Sequence, residues 1–293
     1  METGAVKANG VEFGYLAEGP PDGPLALCLH GFPDSAHTWR HLMPELAADG
    51  YRAVAPFMRG YAPTGVPEDG AYQGGALAAD AVALHEALGG RDDAVIIGHD
   101  WGALATYGAA AFAPERWHRV VTLAVPPVAV MLSAFFTYDQ LKRSFYIFLF
   151  QTPLAEAAFG RAFVEGLWRD WSPGYQDVDG EVERVMDCLA TPENVAAAIG
   201  YYRAMFDPDR HAPRYAAEQA AAGKVGERPV LYLHGQDDGC LGADAVMPDG
   251  GPAGVLAHLP PGSAAESIAD AGHFLHLERP DVVAARIRAW LRA

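Results

Sequence analysis

The segment GHDWG at 98–102 has the residue types and spacing of a turn that presents a nucleophile. It follows the apolar run 94–97 and precedes a helical pattern, as in a strand-to-helix corner that holds its central side chain at the tip. The glycines on either side of Asp100 let neighbouring backbone approach closely. Asp100 could instead only cap the next helix. The flanking glycines and the preceding strand favour the nucleophile.

An aspartate at the centre of such a turn, where serine is more usual, changes the class of reaction. A carboxylate that attacks an sp³ carbon and displaces an oxygen or a halide forms an alkyl ester, and water can hydrolyse that ester at its carbonyl. Serine attacking the same carbon would form an ether and stop there. Asp100 therefore argues against esterases, lipases and peptidases and favours hydrolysis of epoxides or organohalides.

Hydrolysis of the ester needs a base, and the C-terminal region offers one. The segment AGHF at 271–274 can present His273 on a loop over the carboxyl edge of a sheet. His276 is the local competitor, but it lacks the preceding glycine. We therefore predict His273 as the base, and for His276 either a packing role or exposure to solvent.

The base needs a carboxylate to orient it. The segment LYLHG at 231–235 predicts a strand that ends in a turn, and Asp237 and Asp238 follow after one further residue. We favour Asp238, which lies three residues past the turn glycine, over Asp237, which is better placed to face solvent. The chain order is then nucleophile, acid, histidine.

The segment HGFP at 30–33 follows the apolar run 25–29, where a loop can supply backbone donors to an oxyanion. The expected donors are the N–H groups of Phe32 and of Trp101, the residue after the nucleophile. We interpret His30 and His99 as buried histidines bonded to backbone.

These side chains need a sheet to position them, and the chain predicts one. Short apolar runs alternate with helical patterns, as in a mostly parallel sheet flanked by helices. The predicted strands are 25–29, 53–55, 94–97, 120–124, 229–233 and 255–259. The predicted core helices are 36–49, 74–89, 101–113 and 281–291. Between the two halves the aromatics become dense and helical patterns dominate, which predicts a core at 1–127, a helical cap at 128–222 and a second part of the core at 223–293.

Composition limits the partners. With 21 Lys and Arg against 37 Asp and Glu, the formal charge is −16, which disfavours nucleic acid and anionic lipid. The cysteines, Cys28, Cys188 and Cys240, form no CxxC pair that could bind zinc. The N-terminus lacks a signal-peptide pattern, and no apolar run is long enough to span a bilayer. We expect a cytoplasmic protein without a cofactor or metal, and the oligomeric state stays open.

Four segments together carry a resemblance to a known family: HGFP at 30–33, RGY at 59–61, GHDWG at 98–102 and GH at 272–273. With them the chain resembles α/β-hydrolase-fold epoxide hydrolases, nearly from end to end. The resemblance implies the α/β-hydrolase fold with an inserted helical cap. It also implies conversion of a small apolar epoxide and water to a diol through a covalent aspartyl ester. The chain departs from the family after RGY, where APT at 62–64 replaces Gly-x-Ser.

In that family two cap tyrosines hydrogen-bond the epoxide oxygen. The segment YIFLFQTP at 146–153 resembles the first tyrosine motif and selects Tyr146, four residues before a Phe-Gln pair. The segment YYRAM at 201–205 resembles the second and selects Tyr202, directly before arginine, with Tyr201 as the fallback. A phenol with a pKa of about 10 can donate a hydrogen bond and then a proton to the opening alkoxide.

Two other functions compete. Haloalkane dehalogenases resemble the same machinery but usually add a halide-binding asparagine where Phe32 stands, and haloacetate dehalogenases carry arginine where Trp101 stands. A non-catalytic ligand-binding protein could reuse the fold. The complete set of catalytic residue types argues against the binding protein, and the paired tyrosines favour the epoxide.

Overall fold

The computed structural model describes residues 1–247 and 251–293. Its strands are Glu2–Ala8 (β1), Val11–Glu18 (β2), Leu25–Leu29 (β3), Arg52–Pro56 (β4), Val95–His99 (β5), Arg119–Leu123 (β6), Val230–Gly235 (β7) and Ala264–Ile268 (β8). Its α-helices are Leu42–Ala48 (α1), Gly74–Ala87 (α2), Trp101–Phe112 (α3), Val128–Phe135 (α4), Tyr138–Arg143 (α5), Phe145–Leu149 (α6), Ala155–Ala158 (α7), Arg161–Trp171 (α8), Val178–Cys188 (α9), Pro192–Phe206 (α10), Ala216–Ala222 (α11), Ala243–Val246 (α12), Ala253–Leu256 (α13), Leu275–Glu278 (α14) and Pro280–Arg292 (α15).

The strands form one sheet in the order β1-β2-β4-β3-β5-β6-β7-β8. β1 pairs with β2, and β2 with β4, in antiparallel fashion, and the other pairs are parallel. Every residue of β3, β5 and β7 is buried, because helices cover both faces of the parallel part and the strands can be continuous apolar runs. The predicted α/β class and mostly parallel sheet are confirmed.

The parallel strands bring four loops to one edge of the sheet. β3 and β5 are neighbours, with Leu29 opposite Gly98, and β6, β7 and β8 follow in order. The loops after β3, β5, β7 and β8 therefore leave the carboxyl edge side by side, where open α/β sheets place their ligands. These are the loops that hold the candidate residues.

The long connection between β6 and β7 contains α4 to α11 and, within residues 128–222, no strand. Its helices carry Tyr146 on α6 and Tyr202 on α10. The division of the chain at 128 and 222 stays a prediction about domain organisation. Among the residues that the structure describes, no helix has both the length and the apolar character needed to cross a membrane.

The prediction of a strand at 255–259 is wrong. Residues Ala253–Leu256 form the short helix α13, which buries Val255, and the last strand is Ala264–Ile268. β8 pairs only with β7 at the end of the sheet and is half exposed, so its sequence, AAESI, lacks a continuous apolar run. The hairpin β1–β2 was also not predicted, and the predicted helix 36–49 is a 3₁₀ turn followed by α1.

Candidate active site

Asp100 stands at a strained corner between β5 and α3. Its φ of 53° lies in the left-handed region, which non-glycine residues rarely occupy. The turn is closely packed, because a Cβ on Gly102 would lie 2.1 Å from the carbonyl oxygen of Leu29. A Cβ on Gly31 would lie 2.3 Å from Oδ1 of Asp100. The glycines of both loops therefore let the carboxylate approach the backbone of the segment 30–33.

Two backbone amides are available to the carboxylate. Phe32 donates its N–H to Oδ1 of Asp100 at 2.7 Å, and the Phe32–Pro33 peptide bond is cis. Trp101 is the first residue of α3, so its N–H is one of the amides that have no acceptor within the helix. The structure thus brings both predicted oxyanion donors next to Asp100.

His273 lies between two carboxylates. Its Nδ1 donates to Oδ2 of Asp238 at 2.9 Å, and its Nε2 lies 3.6 Å from Oδ2 of Asp100. Burial lowers the pKa of His273, but the negative charges of Asp238 and Asp100 outweigh burial and raise that pKa to about 10. Burial alone would raise the pKa of each carboxyl, and the His273 imidazolium instead holds both pKa values below the usual range.

Backbone amides and the neighbouring histidine hold Asp238 in place. Its Oδ1 accepts the N–H groups of Cys240 at 2.7 Å and Leu241 at 2.9 Å, which leaves Oδ2 for His273. Asp237 is exposed and contributes its backbone N–H to the carbonyl of Ala271 at 2.8 Å. The structure therefore brings Asp238, and not Asp237, to the imidazole.

Tyr146 and Tyr202 project from two helices towards the same space. Their rings lie 5.5 Å apart, and the ring of Phe32 lies 6.2 Å and 5.2 Å from them, respectively. The hydroxyl of Tyr202 has no hydrogen-bond partner among the residues that the structure describes. The hydroxyl of Tyr146 contacts only the thiol of Cys240, at 3.6 Å. Burial raises the pKa of both phenols, which keeps them protonated.

Tyr201 differs from its neighbour. Its hydroxyl donates to the carbonyl oxygen of Arg59 at 2.8 Å, and its ring stacks on Tyr72 at 5.6 Å. Adjacent residues of a helix point about 100° apart, so only one of the two can direct its hydroxyl towards Asp100. The hydroxyl of Tyr201 is already engaged with the core.

A cavity of 420 Å³ adjoins these groups. Asp100, Trp101, Tyr146, Tyr202 and Cys240 contribute to its wall. Most of the remaining wall is apolar, formed by side chains that include Leu104, Val125, Val128, Met131, Leu132, Phe135, Ile147, Met205 and Phe206. Such a cavity can exclude water from a carboxylate and accept an apolar molecule.

The sequence did not identify two residues that complete the site. Cys240 faces the cavity, and Gln140 of α5 joins the helical segment to the loop that carries Asp238. The amide of Gln140 donates to the carbonyl of Cys240 at 2.7 Å and accepts the N–H of Gly242 at 3.1 Å. In the sequence, Gln140 stands out only as a polar residue in an aromatic-rich segment, and this does not indicate which residues it contacts.

One group of metal-ligand residue types occurs among residues 1–247 and 251–293. It consists of Asp34, His99 and His276, which are all buried and do not contribute to the cavity wall. The ring of His276 stacks on Trp39 at 4.9 Å, and its Nε2 contacts the hydroxyl of Thr38. His276 therefore has the packing contacts predicted for it.

Comparisons with known proteins agree with this architecture. Residues 24–280 match the profile of a family described as alpha/beta hydrolase fold. An epoxide hydrolase from Caballeronia sordidicola is 30% identical over 81% of this chain and 80% of its own. Epoxide hydrolase 3 from Xenopus tropicalis is 31% identical over 98% of this chain and 76% of its own.

A solved structure is also similar throughout. The epoxide hydrolase from an endophytic Streptomyces has a TM-score of 0.78 at 26% identity, covering 99% of this chain and 95% of its own. The family profile and the relatives each extend over most of the chain, and the profile spans the loops after β3, β5, β7 and β8. The chain therefore belongs to the α/β-hydrolase fold family and, within it, to the epoxide hydrolases.

Proposed function

We propose that this chain hydrolyses an apolar epoxide to a vicinal diol through a covalent ester on Asp100. The observation that carries the proposal is that Tyr146 and Tyr202 share a cavity with the buried carboxylate of Asp100, and neither hydroxyl has an oxygen or nitrogen partner among the described residues. A carboxylate beside an imidazole would serve epoxides and halides alike. Two protonated phenols fit the epoxide in particular, because its leaving oxygen is a strong base that needs a proton.

In the first step Asp100 attacks a ring carbon. Phe32 engages Oδ1, so Oδ2 is the oxygen with a free lone pair. A bond forms between Oδ2 and the carbon, the ring C–O bond breaks, and the electron pair moves to the ring oxygen. Tyr146 or Tyr202 donates the proton that this oxygen takes up, and the second phenol holds it by a hydrogen bond.

In the second step water hydrolyses the ester. Esterification removes the negative charge of Asp100, which is one of the two charges that raise the pKa of His273. His273 can then release its proton, and this proton balances the one that the tyrosine lost. The neutral imidazole, held by Asp238 at 2.9 Å, takes a proton from water as the oxygen attacks the ester carbonyl. The N–H groups of Phe32 and Trp101 stabilise the resulting oxyanion. When the carbonyl re-forms, the bond between the acyl carbon and Oδ2 breaks, and the diol leaves with that oxygen and a proton from His273. The carboxylic acid of Asp100 then returns its proton to His273, which restores the starting carboxylate and imidazolium.

We further propose that residues 128–222 act as a cap over this site, between core segments 1–127 and 223–293. The cap supplies the two phenols from α6 and α10, and α4 contributes Met131, Leu132 and Phe135 to the cavity wall. An apolar wall of this kind favours substrates without charges near the ring. The substrates are then one apolar epoxide and one water, with no cofactor in either step.

The experiment is a parallel assay of the purified protein with styrene oxide, a long-chain alkyl epoxide, fluoroacetate and a 1-haloalkane. Diol and halide are measured in the same reactions, and a His273→Gln variant serves as the matched control for background hydrolysis. We expect diol from the epoxides and no halide above the control. Halide release without diol would replace the proposal with a dehalogenase, and binding without turnover of any substrate would replace it with a ligand-binding protein.

A further inference from the structure

Three buried titratable side chains that the proposed reaction does not use meet beneath the catalytic loops. They are Asp34, His99 and His276, named here the subsite cluster, and none is more than 3% exposed. Oδ2 of Asp34 and Nδ1 of each histidine have no hydrogen-bond partner within residues 1–247 and 251–293. Ligand-type atoms of the three residues lie within 4.8 Å of one another. Buried polar atoms without a partner are rare, so these atoms call for hydrogen-bond partners of their own.

The protonation of His99 follows from its other contact. Nε2 of His99 lies 3.0 Å from the carbonyl oxygen of His273, and because a carbonyl can only accept, Nε2 carries the hydrogen. Burial lowers the pKa of His99 to about 3, so the ring is neutral and Nδ1 is a bare acceptor. Burial also holds the pKa of His276 well below its ordinary value. The subsite cluster therefore offers neutral imidazoles and one carboxyl group.

Two unpaired atoms of the subsite cluster lie near each other but are not directly bonded. Oδ2 of Asp34 lies 3.7 Å from Nδ1 of His99, which is too long for a direct hydrogen bond. A molecule that both donates and accepts can satisfy both atoms at once, and a ring nitrogen of His276 lies within 4.8 Å of ligand-type atoms of Asp34 and His99. Buried waters typically make about three such bonds to otherwise unpaired groups. We propose that the subsite cluster binds one buried water molecule, which links the catalytic loops to one another.

Charge favours water over a divalent cation at this point. The subsite cluster holds a single carboxyl group, and the ring of His99 lies 4.8 Å from the ring of His273. His273 is an imidazolium in the resting enzyme, because two carboxylates flank it. A dication with only one carboxylate ligand would repel that imidazolium, whereas water adds no charge.

The placement of the three residues gives the water a function. Asp34 lies two residues after Phe32, in the loop that follows β3, and His99 directly precedes Asp100. His276 lies on α14, just after His273. One water therefore joins the oxyanion loop, the nucleophile turn and the base loop. Asp34, His99 and His276 act as positioning residues, through the backbone of the groups that react.

A high-resolution crystal structure of the unmodified protein, combined with elemental analysis of the same preparation, tests for the water directly. We expect one density peak at about 2.7–3.2 Å from Oδ2 of Asp34 and from Nδ1 of His99, without anomalous signal. An empty subsite cluster would overturn the proposal. So would a stoichiometric metal with bonds of about 2.0–2.2 Å. This arm needs no substrate, so its result does not depend on the proposed function.

The kinetic arm rests on the proposed function and compares Asp34→Ala and His276→Phe with a control. His276→Phe keeps an aromatic ring against Trp39 but removes both ring nitrogens from the subsite cluster. Tyr107→Phe is the control, because it deletes a buried hydroxyl bonded to Thr122 at 2.8 Å outside the subsite cluster. We expect kcat per folded molecule to fall roughly 10–100-fold in both test variants, with KM little changed. The control is expected to lose stability but to retain kcat.

A conservative variant separates positioning from simple destabilisation. Asp34→Asn keeps a polar group that can bond the water, so we expect it to recover most of the kcat that Asp34→Ala loses. Wild-type kcat in Asp34→Ala and His276→Phe would contradict the coupling of the water to the loops. If Asp34→Ala does not fold, the crystallographic arm and the His276→Phe and Asp34→Asn variants still decide the question.

Discussion

The carboxyl edge of the sheet and the helical segment 128–222 hold their functional side chains in different ways. At the sheet edge, backbone amides bind Asp100 and Asp238, and His273 is fixed between them. In the helical segment, the hydroxyls of Tyr146 and Tyr202 have no oxygen or nitrogen partner among the described residues. At the sheet edge, Nε2 of His273 has no hydrogen-bond partner among the described residues, but it faces Oδ2 of Asp100 at 3.6 Å. The charged groups of the sheet edge are therefore held mainly by one another and by backbone, whereas the two phenols of the helices can still donate a hydrogen bond to a ligand oxygen.

This difference assigns separate tasks to the two regions. A carboxylate, imidazole and carboxylate at the sheet edge can form and hydrolyse an ester from any alkylating substrate. In the proposed reaction, the hydroxyls of Tyr146 and Tyr202 would favour substrates whose leaving atom needs a proton. Substitutions at the sheet edge should therefore abolish turnover of epoxides and halides alike. Substitutions of the two helix tyrosines should slow the reaction of epoxides more than that of halides.

Replacing the base gives the largest expected effect. In His273→Gln we expect turnover to fall by the general-base range of roughly 10²–10⁴-fold or more, because ester hydrolysis loses its proton acceptor. Ester formation needs no base, so the variant should accumulate alkylated Asp100. Intact-mass measurement after mixing with epoxide checks this, and the mass increase should equal that of one epoxide. Normal turnover would move the base away from His273.

The tyrosines give the next largest effect and test the helical side of the comparison. We expect Tyr146→Phe and Tyr202→Phe each to slow alkylation by up to roughly 10²–10⁴-fold, and the double variant to fall far below either, because one phenol can partly replace the other. Stopped-flow alkylation rates measure this, with ester hydrolysis followed separately. The matched control is Tyr201→Phe, which removes a hydroxyl that donates a hydrogen bond to the carbonyl oxygen of Arg59.

The outcome of this series separates two functions. A double variant that alkylates at the parental rate would show that Tyr146 and Tyr202 only pack the helices. Should the double variant also release halide from a haloalkane as fast as the parent, the selection for epoxides would not lie in these phenols. A rate loss in Tyr201→Phe equal to that of Tyr202→Phe would remove the distinction between the two neighbours.

The smallest expected effect is on stability and concerns the sheet edge alone. The pKa of His273 is raised from 6.5 to about 10 in the folded chain, so its ion pairs stabilise the fold fully below pH 6.5. This stabilisation is lost as the pH rises from 6.5 to 10. Urea unfolding at several pH values should show a decline over this window in the wild type. His273→Gln should lack this part of the decline, and parallel curves for the two proteins would contradict it.

The sequence predicted the sheet-edge groups better than the details around them. Asp100 and Asp238 follow continuous apolar strands at short distances, so local spacing places both at one edge of the sheet. His273 follows β8, which is not an apolar run, so the segment AGHF at 271–274 identified its loop although the preceding strand was misplaced. β8 was misplaced because an edge strand with one neighbour does not need a continuous apolar run. The β1–β2 hairpin escaped prediction because its first strand is mostly exposed.

The helical segment and the subsite cluster show what spacing cannot supply. Tyr201 and Tyr202 are adjacent, and only the packing of α10 determines which hydroxyl reaches the cavity. Asp34 lies in the loop after β3, His99 ends β5 and His276 lies on α14, so the three residues are far apart in the chain and no local pattern connects them. Contacts of that kind depend on the register of the whole sheet.

The most direct test of a covalent ester on Asp100 is a single turnover in oxygen-18 water with enzyme in excess over epoxide. We expect the first diol to be unlabelled, because the oxygen added to carbon comes from the carboxylate of Asp100. The label should instead appear in the peptide that contains Asp100, measured by mass spectrometry after digestion. A fully labelled first diol with an unlabelled Asp100 peptide would mean that water attacks the epoxide directly, and would contradict the role assigned to this carboxylate.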